Sequence, residues 1–258
     1  MTEVRISTPR GVSLAGTFVD PVDSTDAAVI FSHSFMADRH SGEHFDRLSA
    51  AYRGAGYATL EFDYSGCGDS DDDVLTVANH VEDLHSVSAW VKSQGFTRQL
   101  IHAHSFGTLA ALRARPEAAQ TMVLTGMITG PLSFDWPKIF SESQLDDLEK
   151  HGYARIPDDN QSKREYFVIS KQTLVDLSMN EPDPLINNLK IPILAIHDHD
   201  DEQMGLVEMT EEIFGRLPQG SKLEVVRGVS FGRHEGVDLL RNLSVEWAKT
   251  HIPVRPNN

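Results

Sequence analysis

Gln99-Leu100-Ile101-His102-Ala103-His104-Ser105-Phe106-Gly107-Thr108-Leu109-Ala110-Ala111-Leu112 opens as a short apolar run, turns sharply at a serine and continues as a helix rich in small residues. A strand-to-helix turn of this kind is the local setting of a nucleophilic serine: it exposes the hydroxyl and places backbone N–H groups beside it. The turn is so tight that the residues two before and two after the serine must be small; here they are Ala103 and Gly107. Glycine is usual at both places, so Ala103 departs from G-x-S-x-G. A serine flanked by small residues at a helix start also serves as an N-cap, and the stretch alone leaves both readings open.

Working outward, the flanking sequence alternates between two periodicities. Val4 to Ser7 and Val12 to Val19 read as a hairpin across Pro9-Arg10-Gly11,. Ala27 to Ser32 is a continuous apolar run, the mark of a strand covered on both faces, and a helix is expected from Glu43 to Arg53,. The pattern repeats with a strand over Tyr57 to Phe62, a helix over Val74 to Ser93, a strand over Gln99 to Ala103, a helix over Phe106 to Arg115 and a strand over Thr121 to Thr125. It stops at Pro131 and resumes with Ile191 to Ile196, Leu206 to Arg216, Lys222 to Val226 and Gly236 to His251. Such alternation predicts an α/β fold, a mostly parallel central sheet with helices on both faces. Residues 1–130 and 185–258 form its core, and residues 131–184 are read as a small cap insertion.

Composition narrows the function classes. The chain has 258 residues, 40% of them hydrophobic, which is ample for a packed core,. A formal charge of −15 argues against a phosphate-binding surface and hence against a nucleic-acid partner,. Met1-Thr2-Glu3-Val4-Arg5 lacks the apolar core of a signal peptide, and no apolar run approaches a membrane span, so a cytoplasmic location without a membrane partner is expected,. Cys67 is the single cysteine, which excludes an intrachain disulfide and a thiolate metal cluster,.

Five ordered motifs carry a family resemblance: Arg10-Gly11-Val12-Ser13-Leu14-Ala15-Gly16, Phe31-Ser32-His33-Ser34-Phe35, Phe62-Asp63-Tyr64-Ser65-Gly66-Cys67-Gly68-Asp69-Ser70, the stretch around Ser105, and Ile191-Pro192-Ile193-Leu194-Ala195-Ile196-His197 with the late His234. Over nearly its whole length the chain resembles an α/β-hydrolase of the small esterase and serine-aminopeptidase-like branch, which includes cinnamoyl and feruloyl esterases. The resemblance implies a triad in the order serine, acid, histidine, with Ser105 as the nucleophile. Of the 12 histidines, only His234 and His251 follow the acid region. His251 ends the last expected helix, where a histidine complements the helix C-terminus, so His234 is assigned as the base. The family reads H-G-x-x-D after the strand ending at Ile196. Laid on His197-Asp198-His199-Asp200-Asp201, that pattern puts the acid at Asp201, with Asp200 as the alternative and Asp198 in a glycine's place. The same five residues also offer donors suited to zinc or iron; the family loop accounts for their spacing without a metal, and no cofactor is expected.

The resemblance places the two oxyanion donors at the backbone N–H groups of Phe106 and Phe35, with Ser34 standing where the family has glycine. His33 reads as structural. The insertion would set substrate choice, because it carries Phe134, Trp136, Phe140, Tyr153, Tyr166 and Phe167,. Asp135, Trp136 and Tyr166 are its candidate substrate contacts, although rings in such a segment also pack it onto the core. The acidic run from Asp69 to Asp73 lacks the spacing of a calcium loop and reads as a solvated turn. The expected function is hydrolysis of a small-molecule carboxylic ester with an apolar or aromatic acyl group, by a monomer or homodimer. A thioesterase, an amidase, a carbon–carbon bond hydrolase or a non-catalytic binding protein on the same fold are the alternatives.

Overall fold

The computed structural model describes residues 1–21, 26–159, 164–231 and 234–255, with the side chains of 234 and 235 outside the description. From the N-terminus the elements run β1 (Thr2–Ser7), β2 (Ser13–Val19), β3 (Ala27–Ser32), α1 (His44–Gly54), β4 (Ala58–Phe62) and α2 (Val77–Ser93). Then follow β5 (Arg98–His104), α3 (Phe106–Ala114) and β6 (Ala119–Thr125). The next segment carries α4 (Trp136–Ile139), α5 (Glu142–His151), β7 (Tyr153–Pro157), β8 (Tyr166–Ser170), α6 (Lys171–Ser178) and α7 (Pro182–Ile186). The chain closes with β9 (Ile193–His197), α8 (His199–Gln203), α9 (Leu206–Phe214), β10 (Lys222–Val225) and α10 (His234–His251).

An eight-stranded sheet in the order β1-β2-β4-β3-β5-β6-β9-β10 forms the centre. β2 is antiparallel to β1 and β4, and every other pairing is parallel. The continuous apolar runs become its buried middle: every residue of β3 and β4 is buried. Their side chains alternate between two cores, as a pleated strand requires. Val29, Phe31 and Leu100 point to one core with Phe45, Leu48 and Tyr52 of α1 and Trp247 of α10. Ile30, Ile101 and Ala103 point to the other with Leu84 and Val87 of α2 and Leu109 of α3. α1 buries Phe45, Leu48, Ser49 and Tyr52, a stripe at helical spacing, whereas α3 is buried almost all round, which its small residues permit,.

Three differences from the expected elements bear on the site and its surroundings. The second helix begins at Val77 because the Thr76 side chain caps it by accepting from the Asn79 N–H, and Val74 pairs instead with Val168 of β8,. The last helix begins at His234 rather than Gly236, so His234 lies at a helix start instead of in a loop. The loop expected to carry the acid contains a short helix, α8.

The segment between β6 and β9 has its own two-stranded antiparallel sheet, β7 with β8. It packs on the core through Phe140, Leu148, Phe167, Ile169, Leu177 and Leu185 and is tied to it by a few bonds: Leu75 N–H to Val168 O at 2.9 Å, Val77 N–H to Asp176 at 2.7 Å and Thr173 Oγ1 to Leu75 O at 2.5 Å. The Asp69 to Asp73 run is more than a solvated turn. Asp69 pairs with Arg39 at 3.2 Å, Asp71 accepts from Ser13 N–H at 2.9 Å, Asp72 meets Arg164 at 2.5 Å and Asp73 meets Arg10 at 3.0 Å.

Candidate active site

The register of β3 on β5 pairs Ser32 with Ala103, so the segments leaving the two strands, His33 to Phe35 and His104 to Phe106, emerge side by side. This is where the strand order reverses, since β3 leads to β4 on one side and has β5 on the other,.

At Ser105 the backbone adopts φ 51° and ψ −119°. An N-cap serine sits in the extended region and accepts from the first-turn N–H groups; Ser105 does neither, and its side chain makes no cap bond,. The neighbours impose this conformation. Ser105 N–H donates to Thr125 O at 2.9 Å, and Ser105 O accepts from both Thr108 N–H at 2.8 Å and Thr108 Oγ1 at 2.6 Å. Ser32 Oγ donates to Gly107 O at 3.0 Å. A Cβ on Gly107 would lie 2.3 Å from Ser32 O and 2.6 Å from His33 O, so only glycine fits there. Ala103, by contrast, is accommodated as a fully buried strand residue.

Phe106 opens α3, so its N–H belongs to the first turn, whose donors have no partner within the helix,. The Phe35 and Phe106 rings lie 5.6 Å apart. His33 orients the peptide that carries the Phe35 N–H. Its Nε2 accepts from Tyr64 N–H at 3.0 Å, so the proton is on Nδ1, which donates to Ser34 O at 2.8 Å,. In a trans peptide, anchoring the Ser34 carbonyl on one side directs the Phe35 N–H to the other. Burial lowers the His33 pKa and keeps the ring neutral for this task. Ser34 has no left-handed φ, so its backbone does not require the family's glycine. Tyr64 completes the support with its hydroxyl 2.6 Å from Ser32 Oγ. Ser32 and Tyr64 stood in two of the ordered sequence motifs, but their meeting across 32 positions was not legible there.

Asp201 lies at the third position of α8, half-buried. It is separated from Ser105 by the end of β6: Gly126 follows Thr125, and a Cβ on Gly126 would come 3.0 Å from Asp201 Oδ1. Asp201 Oδ2 accepts from Asp198 N–H at 3.1 Å and lies 3.4 Å from His197 Nδ1. Asp200 is exposed and accepts from Ser230 Oγ at 2.6 Å. Asp198, in extended backbone, caps α8 with Oδ1 on the N–H groups of Asp200 and Asp201, and its Oδ2 accepts from Phe231 N–H at 2.8 Å. It therefore ties α8, which carries Asp201, to Phe231. Gly236 keeps that approach close, since a Cβ there would lie 2.4 Å from Ser230 O. His234 opens α10, but its side chain lies outside the described residues.

His104, directly before the serine, turns its Nδ1 to Thr125 Oγ1 at 2.9 Å. Burial lowers its pKa, opposed by the Asp201 and Asp198 charges. His102 is a core residue: it stacks on Phe31 at 5.4 Å and bonds Tyr52 at 3.0 Å, and burial pushes its pKa down to about 3.

The three candidate substrate contacts sit apart from one another in bonding terms. Asp135 is exposed and paired with Lys138 at 2.8 Å. Trp136 is half-buried between Phe134 at 4.8 Å and Phe140 at 5.8 Å, in a parallel stack. Tyr166 lies under the Arg155 guanidinium at 4.5 Å. It also lines a cavity of about 370 Å³ with Asp69, Asp72 and Arg164, whose described walls include neither Ser105 nor Asp201.

Solved structures of similar shape include an esterase domain from Rhodothermus marinus, 20% identical over 97% of this chain and 98% of that one with a TM-score of 0.70. An esterase from Exiguobacterium antarcticum is 17% identical over 96% and 100%, with a TM-score of 0.72. DcsB, solved with its substrate analogue, is 16% identical over 97% and 99%, with a TM-score of 0.77. At these identities the likeness is one of fold. No curated protein sequence matches the chain. A family model described as the alpha/beta hydrolase family matches residues 29–229, from within β3 to just past β10, and the chain belongs to that family.

Proposed function

We propose that the chain is a serine hydrolase that cleaves a carboxylic ester of a small apolar or aromatic acyl group, in the manner of the cinnamoyl and feruloyl esterases it resembles. The observation that carries this reading is the backbone of Ser105, held at φ 51° and ψ −119° with its hydroxyl left out of helix capping. Strain of this kind persists only where its surroundings impose it, and it leaves the hydroxyl at the end of the sheet.

In this reading Ser105 Oγ attacks the acyl carbonyl while His234 takes its proton. Asp201 holds the imidazole tautomer and stabilises the imidazolium. The N–H groups of Phe106 and Phe35 receive the oxyanion, the second aimed by the His33 bond to Ser34 O,. His234 returns its proton to the leaving alcohol, and water then cleaves the acyl-enzyme by the same steps. The preference for Asp201 over Asp200 is supported by its place beside Gly126 at the end of β6, next to the strand that leads to Ser105. Residues 131–184 serve as the cap, with the Phe134-Trp136-Phe140 stack as its apolar wall.

Turnover of p-nitrophenyl esters of increasing acyl length and of methyl ferulate, compared between wild type and Ser105→Ala, tests the reading. Activity that vanishes in the variant is expected. Equal activity in both would remove Ser105 as nucleophile, and no turnover by folded wild type would turn the reading toward thioester or carbon–carbon substrates.

A further inference from the structure

We infer that His197 is a positioning residue for the Asp201 carboxylate: its ring holds Oδ2 and leaves Oδ1 to the imidazole of the base. This role rests on Asp201 being the triad acid proposed above. His197 ends β9 and is fully buried, directly before Asp198, the cap of α8. Its ring bridges two elements. Nε2 lies 2.8 Å from Thr210 Oγ1 of α9, and Nδ1 lies 3.4 Å from Asp201 Oδ2 of α8. Nδ1 is buried and makes no hydrogen bond at that distance. A buried ring nitrogen left without a partner is uncommon enough to need a reason.

Thr210 decides the tautomer. It is buried, and among the described residues its hydroxyl has no hydrogen-bond partner but His197 Nε2. In the neutral imidazole one nitrogen donates and the other accepts. A proton on Nε2 would leave the Thr210 hydroxyl hydrogen without an acceptor in the core and turn the Nδ1 lone pair toward a carboxylate oxygen. With the proton on Nδ1 both faults vanish: Thr210 donates to Nε2, and Nδ1–H faces the carboxylate. An N–H donor bonds a carboxylate at about 2.9 Å, so the gap of 3.4 Å has about 0.5 Å to close,. A small turn of the Asp201 side chain supplies this, and bonds among catalytic groups commonly tighten as charge develops.

The two oxygens of Asp201 are then distinct. Oδ2 has Asp198 N–H at 3.1 Å and the His197 ring beside it. Oδ1 has no donor among the described residues and lies toward Gly126, where a Cβ would come 3.0 Å from it. An acid that keeps an imidazole in one tautomer works only if its own orientation is fixed. The Asp198 N–H alone leaves the carboxylate free to pivot about one bond, and a second donor on the same oxygen removes the pivot. Thr210 acts only through His197, by keeping the proton on the nitrogen that faces Asp201.

The test reads the rate at which a fluorophosphonate probe modifies Ser105 in the full-length chain, followed by intact mass, with Tm measured for every variant. Oγ bonds to phosphorus, fluoride leaves and the serine proton passes to the base, so the rate reports the triad without a chosen substrate. His197→Gln, whose amide reaches toward Thr210 but leaves the place of Nδ1 empty, is expected to slow labelling about 10- to 100-fold. His197→Asn, whose amide nitrogen stands where Nδ1 did, should recover the rate to within about fivefold of wild type. Thr210→Val, close in shape to threonine, should slow labelling about three- to tenfold and keeps the test sound if the histidine variants fold poorly. In an Asp201→Asn background His197→Gln should cost nothing further, since both act through one carboxylate; a histidine that only docks α9 on β9 would give additive losses. Additive losses, equal rates in His197→Gln and His197→Asn, or rates within about twofold of wild type in both His197→Gln and Thr210→Val would each overturn the positioning role while leaving Asp201 as the acid. Labelling of Asp201→Asn at the wild-type rate, or no labelling of Ser105 in folded wild type, would overturn the triad reading and the positioning role with it.

Discussion

The turn at Ser105 and the segment between β6 and β9 both leave the sheet at its C-terminal end, yet different contacts hold them. The turn is over-determined. Phe106, Gly107 and Thr108 are buried, and backbone and hydroxyl bonds from Ser32, Thr108 and Thr125 fix the peptides around the serine. The segment is held by area and by a few bonds at its β8 and α6 junctions, while Ile139, Tyr153, Val175 and Met179 remain exposed. A strained conformation needs neighbours that leave it no alternative, whereas a surface segment without such strain tolerates looser anchoring.

Two glycines offer the severest way to break this contrast. In Gly107→Ala the new Cβ would meet backbone atoms of β3 at 2.3 Å, and a loss of about 3 kcal/mol or more, or no folded protein, is expected in urea denaturation,. In Gly152→Ala, at the end of α5, nothing lies within 4 Å and only the positive φ of 83° resists, so a loss of about 1 kcal/mol is expected,. Similar losses at the two sites would show that the turn is no more constrained than the segment.

Activity should divide along the same line. Asp201→Asn is expected to lower kcat about 10⁴-fold, and Asp200→Asn less than about tenfold; the reverse order would move the acid. Trp136→Ala should leave kcat on the shortest acyl ester near wild type while changing kcat/KM for longer or aromatic acyl groups by roughly 10- to 100-fold. Uniform loss across acyl lengths would place Trp136 among the supports of the fold rather than in a pocket.

The smallest effect concerns pH. Burial lowers the pKa of His33, His80, His102 and His104, all around the strands that carry the site. The unfolded chain, with histidines near 6.5, then binds more protons than the folded one. Stability from these groups is complete above pH 6.5 and is lost as pH falls below it, so Tm should drop between pH 7 and 5. Glu61 acts in the opposite sense. With its pKa raised to about 7, it is disfavoured in the fold once ionised, so Glu61→Gln should gain Tm relative to wild type at pH 8 and lose that gain at pH 4.5,. A wild-type Tm independent of pH would mean that the buried histidines gain protons in the fold as readily as out of it.

Most of the sheet was legible because strand and helix signals are local. A run such as Ala27 to Ser32 can only be a strand covered on both sides, and eight strands and their helices follow from repeating that pattern. The turn at Ser105 was legible for the same reason, since the demand for small neighbours at Ala103 and Gly107 is written within five positions. Asp201 was reached by spacing, but spacing left Asp200 beside it. The fold gives them different surroundings: β6 lies between β5 and β9, which brings Gly126 against Asp201, while Ser230 bonds Asp200.

Sequence by itself thus determined the alternating fold and the strand-to-helix turn at Ser105, because each depends on residues near one another in the chain. Tertiary structure decided the use of the remaining polar groups. Asp198 became a tie to Phe231, the run from Asp69 to Asp73 found Arg10, Arg39 and Arg164, and His40, Asp46 and Glu61 converged from three elements. A buried or half-buried polar group must find a partner, and which one it finds depends on strand register and helix placement over tens of residues, a distance at which no local pattern carries information.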